Sequence, residues 1–293
     1  MAFVIIASPR TGSTHLTALL HKHSEIICHG EIFHPKMTNP LKRWESSAWV
    51  PESTAEMLEL RERDPRRFVR RLFENDHGGK HVGFKIFNGH NDDILDELIA
   101  DTAVKKIVLF RPNLLAVYSS SRIAHDIGER VLKKPRESQP LVQFEQKQFV
   151  KYCRKYAAFY RGVVEKMVAG RQNFYFLDYG AINNPSLFAA LVSFIGADPA
   201  QARLEPSMIK QNSPDLLKRF SNPDEVDQFL RRNGLMNWLY EGEVTLDPFM
   251  EIGPAEDTVA LSGAEQDGAA ATGTRRPEDA PTLGTGQTGT NAQ

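Results

Sequence analysis

The sequence predicts an α/β fold in three layers, a central, mostly parallel sheet flanked by helices. Three observations predict it. Short apolar runs alternate with longer segments of helical period along the chain. Two of those runs end in an arginine-containing turn that leads directly into a helical pattern. A chain of 293 residues with 41% hydrophobic content can also bury a sizeable core.

The first run, Phe3 to Ala7, is a buried strand. Ser8-Pro9-Arg10-Thr11-Gly12-Ser13-Thr14 turns the chain, and Leu16, Leu19 and Leu20 recur at helical spacing from Thr14 to His23. Strand, small-residue turn and helix start together make an anion cradle. Gly12 lets the backbone approach a ligand, and the first helical N–H groups carry the positive end of the helix dipole. Ser13 and Thr14 add hydroxyls, and Arg10 adds a permanent charge able to bind phosphate or sulfate with two N–H groups. The loop suits a phosphate ester. It lacks the lysine of the nucleotide triphosphate loop G-x-x-x-x-G-K-[ST], because Ser13 follows Gly12.

Ile26 to Cys28 is the second strand and Val82 to Phe87 the third, with a helix at Asp92 to Ala100 between the third and the fourth. The fourth, Lys106 to Phe110, repeats the first signature. Arg111-Pro112-Asn113 follows it, then a helix over Leu114 to Ile123, and Ser119 lies eight positions after Arg111. Ligands of open α/β sheets bind beyond the carboxyl ends of strands, so Arg111 belongs to the same edge as Arg10. A long helix over Phe144 to Val168 sets Phe149, Tyr152, Tyr156, Phe159, Val163 and Met167 on one face, as core packing. Phe174 to Leu177 is the fifth strand, with helices at Leu187 to Ile195 and Asp224 to Arg232. Asn184-Pro185 and Asn222-Pro223 read as N-caps followed by proline at the first helical position, with Glu225 completing a capping box in the second.

The P-R-x-G-S-T loop and the Arg111/Ser119 pair resemble the 5′-phosphosulfate and 3′-phosphate motifs of sulfotransferases that use 3′-phosphoadenosine 5′-phosphosulfate (PAPS). Cys28-His29-Gly30-Glu31-Ile32-Phe33, His81 to Ile86, Phe176 to Tyr179, and Lys210-Gln211-Asn212-Ser213 with Asn222 to Val226 are similar to elements of the bacterial NodH/Stf0-like carbohydrate and glycolipid branch. The resemblance covers roughly residues 3 to 240 and implies a P-loop-like fold. It departs from the common pattern at Thr11, where a serine is usual and a hydroxyl is kept. Under it, Pro9 to Thr14, Arg111, Ser119, Lys210 and Gln211 bind PAPS. Glu31, Arg10 and Lys85 then carry the chemistry: Glu31 as general base, Arg10 on the charge of the leaving group, and Lys85 on the transferred sulfonate or as a partner of Glu31. His29 and His34 are alternative bases. No metal is needed, because no triphosphate chain requires neutralising. The acceptor implied is a carbohydrate or glycolipid hydroxyl, with a small alcohol or phenol behind it. Two other readings stay open: a kinase or NTPase on a degenerate P-loop fold, and a catalytically inactive module that binds 3′,5′-phosphoadenosine or a glycan.

Net charge is −1, unevenly spread: Pro254 to Gln293 carries −4 and the remainder +3. That tail has no aromatic residue and is rich in Gly, Ala, Thr and Pro, so we expect a sulfotransferase domain at 1–253 and a disordered tail at 254–293. Residues Pro35 to Phe73 form a polar insertion with Trp44, Trp49 and an Arg-rich helix at Arg61 to Arg67, either an acceptor-binding lid or a solvated basic face. Lys133-Lys134-Pro135-Arg136 is a second basic loop, but interspersed acids leave no stripe for nucleic acid. Cys28 and Cys153 suggest neither a disulfide framework nor a zinc site, and His21, His23 and His29 lack the spacing of a metal shell. The start MAFVIIASPR lacks a basic leader, and no apolar run reaches membrane-span length, which points to a soluble, cytoplasmic protein with at most peripheral membrane contact. Oligomeric state is left open, a homodimer included.

Overall fold

A computed structural model describes residues 1–34, 54–75, 80–127, 140–204 and 212–241, all within the unit Met1–Ala255. Trp44, Trp49, Lys133 to Arg136, Lys210, Gln211 and the tail from Pro254 lie outside the described residues. Five strands, β1 (Ala2–Ala7), β2 (Ile26–Glu31), β3 (His81–Phe87), β4 (Val104–Phe110) and β5 (Phe174–Asp178), form one sheet in the order β2-β3-β1-β4-β5. Every pairing is parallel. The helices are α1 (Ser13–His21), α2 (Thr54–Arg63), α3 (Pro65–Glu74), α4 (Asp92–Ala100), α5 (Leu114–Ile127), α6 (Gln146–Ala169), α7 (Pro185–Ile195) and α8 (Pro223–Arg232).

Alternation along β1 builds the three layers, because successive strand side chains point to opposite faces. Phe3, Ile5 and Ala7 pack with Leu16, Leu19 and Leu20 of α1 and with Phe188, Leu191 and Val192 of α7. Val4 and Ile6 face the other way, into a cluster that holds Phe68 of α3, Ile94 of α4, Leu115 of α5 and Phe149 of α6. Gly83 on β3 is dictated by this packing: a Cβ there would come within 2.4 Å of the Phe3 ring. β1 lies between β3 and β4, so the chain's winding reverses beside it. Ligands of open α/β sheets bind at the carboxyl ends of the strands flanking such a reversal, and the Arg10 and Arg111 turns emerge there, after β1 and β4.

Three details differ from the sequence reading. β2 continues to Glu31 rather than ending at Cys28. Its register against β3 shifts between Cys28 and Glu31, an irregularity at His29-Gly30 that carries the strand three residues further. The Arg-rich helix is two helices, α2 and α3, broken at Asp64, whose carboxylate caps α3 by accepting from Arg67 N at 3.0 Å. Within it, Arg61 is buried and donates to the Ile32 carbonyl at 3.1 Å, so it is no part of a solvated face. Asn184 caps α7 as its sequence suggests. Asn222 does not cap α8: its side chain bonds Phe144 N and O instead, at 2.8 and 3.0 Å. A distant backbone segment with both groups to satisfy outcompeted the local cap.

Candidate active site

The β1–α1 turn contains two left-handed residues, Arg10 at φ 69° and Gly12 at φ 83°. Gly12 is the N-cap of α1, and no side chain caps that helix. Space as well as φ requires the glycine, since a Cβ would lie 2.6 Å from the Tyr179 ring. Arg10 has no such excuse, and non-glycine residues in this region store strain that the surroundings must offset. Its Nε donates to Ser120 Oγ on α5 at 2.9 Å, and its carbonyl accepts from Arg111 Nη1 at 2.8 Å. Thr11, fully buried, spends its hydroxyl inside the turn, donating to the Ser8 carbonyl at 2.7 Å. Pro9 is exposed at the tip.

Two phenols of α6, one turn apart, pin the ends of the strands from which both arginines spring. Tyr160 donates to Leu109 O at 2.7 Å and accepts from Ser8 N at 2.9 Å. Tyr156 accepts from Arg111 N at 2.9 Å. Burial raises both phenols, that of Tyr160 to about 12, because an ionised ring oxygen there would lose its hydration. The sequence assigns Tyr156 to a packed face and does not single out Tyr160. The rings do pack, but the hydroxyls also fix the β1 and β4 carboxyl ends, and periodicity carries no signal for that.

Glu31 and Lys85 face each other across β2 and β3, in register. Lys85 is buried, and its Nζ donates to Thr14 Oγ1 at 2.8 Å, sits 3.4 Å from Ser13 Oγ and pairs with Glu31 Oε1 at 3.2 Å. The ammonium therefore joins the cradle to the candidate base. His90 lies on the other side of Glu31, its Nε2 4.0 Å from Oε2, with its ring against His34. His29 is buried within β2. His90 was not among the sequence candidates: it sits in an ordinary Gly-His-Asn turn, and only folding carries it to Glu31.

Arg111, also buried, stacks on Tyr179 with its guanidinium carbon 4.3 Å from the ring centroid. Its Nη2 pairs with Glu241 Oε1. The same carboxylate oxygen accepts from Arg219 Nη2 at 2.7 Å. Arg219 Nη1 also reaches Ser119 Oγ at 3.3 Å, and Ser119, fully buried, donates to Ala116 O at 3.2 Å. Burial lowers the Arg219 guanidinium from its ordinary value, against the opposing pull of Glu241. Arg111 and Ser119 are thus linked through Arg219, and the two guanidiniums share the Glu241 carboxylate. Arg219 and Glu241 escaped the sequence reading because each stands alone in its segment, with no partner at a diagnostic spacing.

Among the described residues, no helix is long and apolar enough to cross a membrane. No cluster of three or more His, Cys, Asp or Glu side chains gathers there to hold a metal ion.

No protein-family model matches the chain, and no curated protein matches it. Among solved structures it is similar to a sulfotransferase from Alicyclobacillus acidocaldarius, with 15% identity, 79% of this chain and 92% of that chain covered, and a TM-score of 0.41. A sulfotransferase domain from the curacin biosynthetic pathway shares 14% identity over 77% of this chain and 86% of that one, with a TM-score of 0.37. A sulfotransferase domain from the Synechococcus PCC 7002 olefin synthase shares 12% identity over 78% and 86%, with a TM-score of 0.34. At these values the likeness carries no functional argument, which rests on the side chains themselves.

Proposed function

We propose that this chain is a sulfotransferase that moves a sulfonate from PAPS to a hydroxyl of a carbohydrate or glycolipid acceptor. One observation carries the reading. Two arginine-and-hydroxyl nests of opposite sequence origin touch, through Arg111 Nη1 on the Arg10 carbonyl, and a carboxylate–ammonium pair adjoins the first of them. A nucleotide phosphorylated at both its 3′ and 5′ ends needs two such anion sites. The second nest already coordinates the Glu241 carboxylate, so its donor set fits an oxyanion.

The residues divide the work. When bound, PAPS supplies the sulfonate and a 5′-phosphate leaving group. Arg10, Ser13, Thr14 and the N–H groups opening α1 hold that phosphate and the charge it gains. Glu31 takes the proton of the acceptor hydroxyl as its oxygen bonds to sulfur and the bond from sulfur to the phosphate oxygen breaks. Lys85, between Thr14 and Glu31, orients the carboxylate and offsets negative charge on the group in transit. The acceptor class comes from the resemblance at Cys28 to Phe33.

The test is transfer of radiolabelled sulfonate from PAPS to an oligosaccharide or glycolipid panel, alongside calorimetry with 3′,5′-phosphoadenosine and with ATP and magnesium. Expected are transfer, binding of the bisphosphate without metal, and no comparable binding of ATP. Tight metal-dependent ATP binding would instead favour the kinase reading, and bisphosphate binding without any turnover the inactive module.

A further inference from the structure

We infer that the Glu241 carboxylate is the resident anion of the Arg111–Arg219–Ser119 nest and that a phosphate monoester binds there by taking its place. The inference rests on the proposed function only for the identity of the nucleotide. The anion exchange itself follows from geometry and charge.

Arg219 has 1% of its side chain exposed and Arg111 9%, and both aim Nη2 at the same oxygen, Oε1 of Glu241. Two like charges brought together out of water need a counter-ion, and unpaired they would cost several kcal/mol each. One carboxylate leaves the trio at a formal +1. A phosphate dianion in place of Glu241 would balance both guanidiniums, whereas phosphate and Glu241 together would crowd three negative charges onto two positive ones. The two anions are therefore alternatives, not partners. Ser119 Oγ, within reach of Arg219 Nη1 at 3.3 Å, completes a donor set broader than one carboxylate oxygen uses.

The backbone allows the exchange. Asn113 Nδ2 donates to Trp238 O at 3.0 Å and to Tyr240 O at 3.1 Å, and Tyr240 bridges Asp215. These bonds, with Glu241 N donating to Pro214 O at 3.4 Å, hold the main chain here, so the exchange moves the Glu241 side chain and not the backbone. Arg219 stays behind, because Nε also donates to Ser213 O at 2.8 Å. An intrinsic competitor of this kind lowers apparent affinity by the fraction of time it occupies the site. It keeps an arginine pair stable without ligand and discriminates against a nucleoside 5′-phosphate, whose one phosphate occupies the Arg10–Thr14 cradle and leaves Glu241 in place.

The experiment is calorimetry of the full chain and Glu241→Gln with inorganic phosphate, adenosine 5′-phosphate and 3′,5′-phosphoadenosine. Neutralising the carboxylate is expected to tighten inorganic phosphate and the bisphosphate by about tenfold, with adenosine 5′-phosphate changed less than about twofold. Adding Arg219→Gln is expected to abolish the gain, which localises it to this nest. Equal or weaker binding of both phosphate and bisphosphate by Glu241→Gln would overturn the inference. If phosphate tightens while the bisphosphate binds neither form, the exchange stands and the PAPS reading falls. Should Glu241→Gln fail to fold, Glu241→Asp supplies the answer. A larger phosphate-induced rise in melting temperature than the parent chain supports exchange, and an equal or smaller rise refutes it.

Discussion

Arg111 Nη1 donates to the carbonyl of Arg10 at 2.8 Å, so two turns 101 residues apart share one hydrogen bond at the carboxyl edge of the sheet. The same guanidinium stacks on Tyr179 and pairs with Glu241. A lysine could satisfy one of these contacts but not the fork and the stack together. Arg111→Lys should weaken 3′,5′-phosphoadenosine binding by about 10- to 100-fold, the value of one charge-assisted hydrogen bond. Calorimetry on the two proteins measures it; affinity within twofold of the parent would remove Arg111 from the site.

Glu31 and Lys85 call for opposite signatures. Glu31→Gln keeps the shape and the hydrogen bond from Lys85 but cannot take a proton. Turnover should fall by about 10² to 10⁴, the usual worth of a general base, with bisphosphate affinity little changed. Lys85→Met instead removes a donor to Thr14 and the partner of Glu31 together, so affinity and turnover should both drop. Single-turnover rates with saturating PAPS separate the two. If Glu31→Gln keeps parental rates, His90 or His34 becomes the base to examine.

Gly12→Ala tests the cradle without touching a charge. An alanine would have to hold φ near 83° and press its Cβ against Tyr179 at 2.6 Å. Relief means moving Tyr179, the ring on which Arg111 stacks. We expect about 1–3 kcal/mol of lost stability in urea unfolding and a loss of bisphosphate affinity that exceeds it in proportion. A variant as stable as the parent with normal affinity would show that the turn is not confined as described.

Tyr160 predicts a pH limit. Burial raises its folded-state value to about 12, above the ordinary 10, so the unfolded chain releases that proton first. Between pH 10 and 12 the unfolded state binds fewer protons than the native one, and stability must fall as pH rises, being fully present below 10. Tyr160→Phe should flatten that decline. It should also cost about 1–3 kcal/mol at neutral pH, because Ser8 N–H and Leu109 C=O lose their partner. Urea melts from pH 7 to 11.5 test both; an unchanged slope above pH 10 would assign the decline to other groups.

How much of the site could be read from the chain depends on the range of each interaction. Pro9 to Thr14 declare themselves because strand, turn and helix start are consecutive. Arg111 and Ser119 do so because two helical turns separate them. Glu31 and Lys85 could be named individually, yet their pairing needs β2 and β3 to be neighbours in a register shifted at Gly30. Tyr156 reveals burial through its period, Tyr160 is not singled out, and the bonds that make both struts depend on which strand ends they meet. Asn222 shows the reverse error: its local cap pattern is sound, and a remote segment claims the side chain.

By itself the sequence determined the α/β layering and the two arginine turns, because hydrophobic period, left-handed glycine and strand–turn–helix order are local properties of a chain. Tertiary structure alone decided that β1 lies between β3 and β4, that both arginine turns meet at one edge of the sheet, and that Arg219 and Glu241 belong beside Arg111. Those are contacts between segments about 20 to 130 residues apart in sequence, and they follow from how apolar faces share a core rather than from any pattern within a segment.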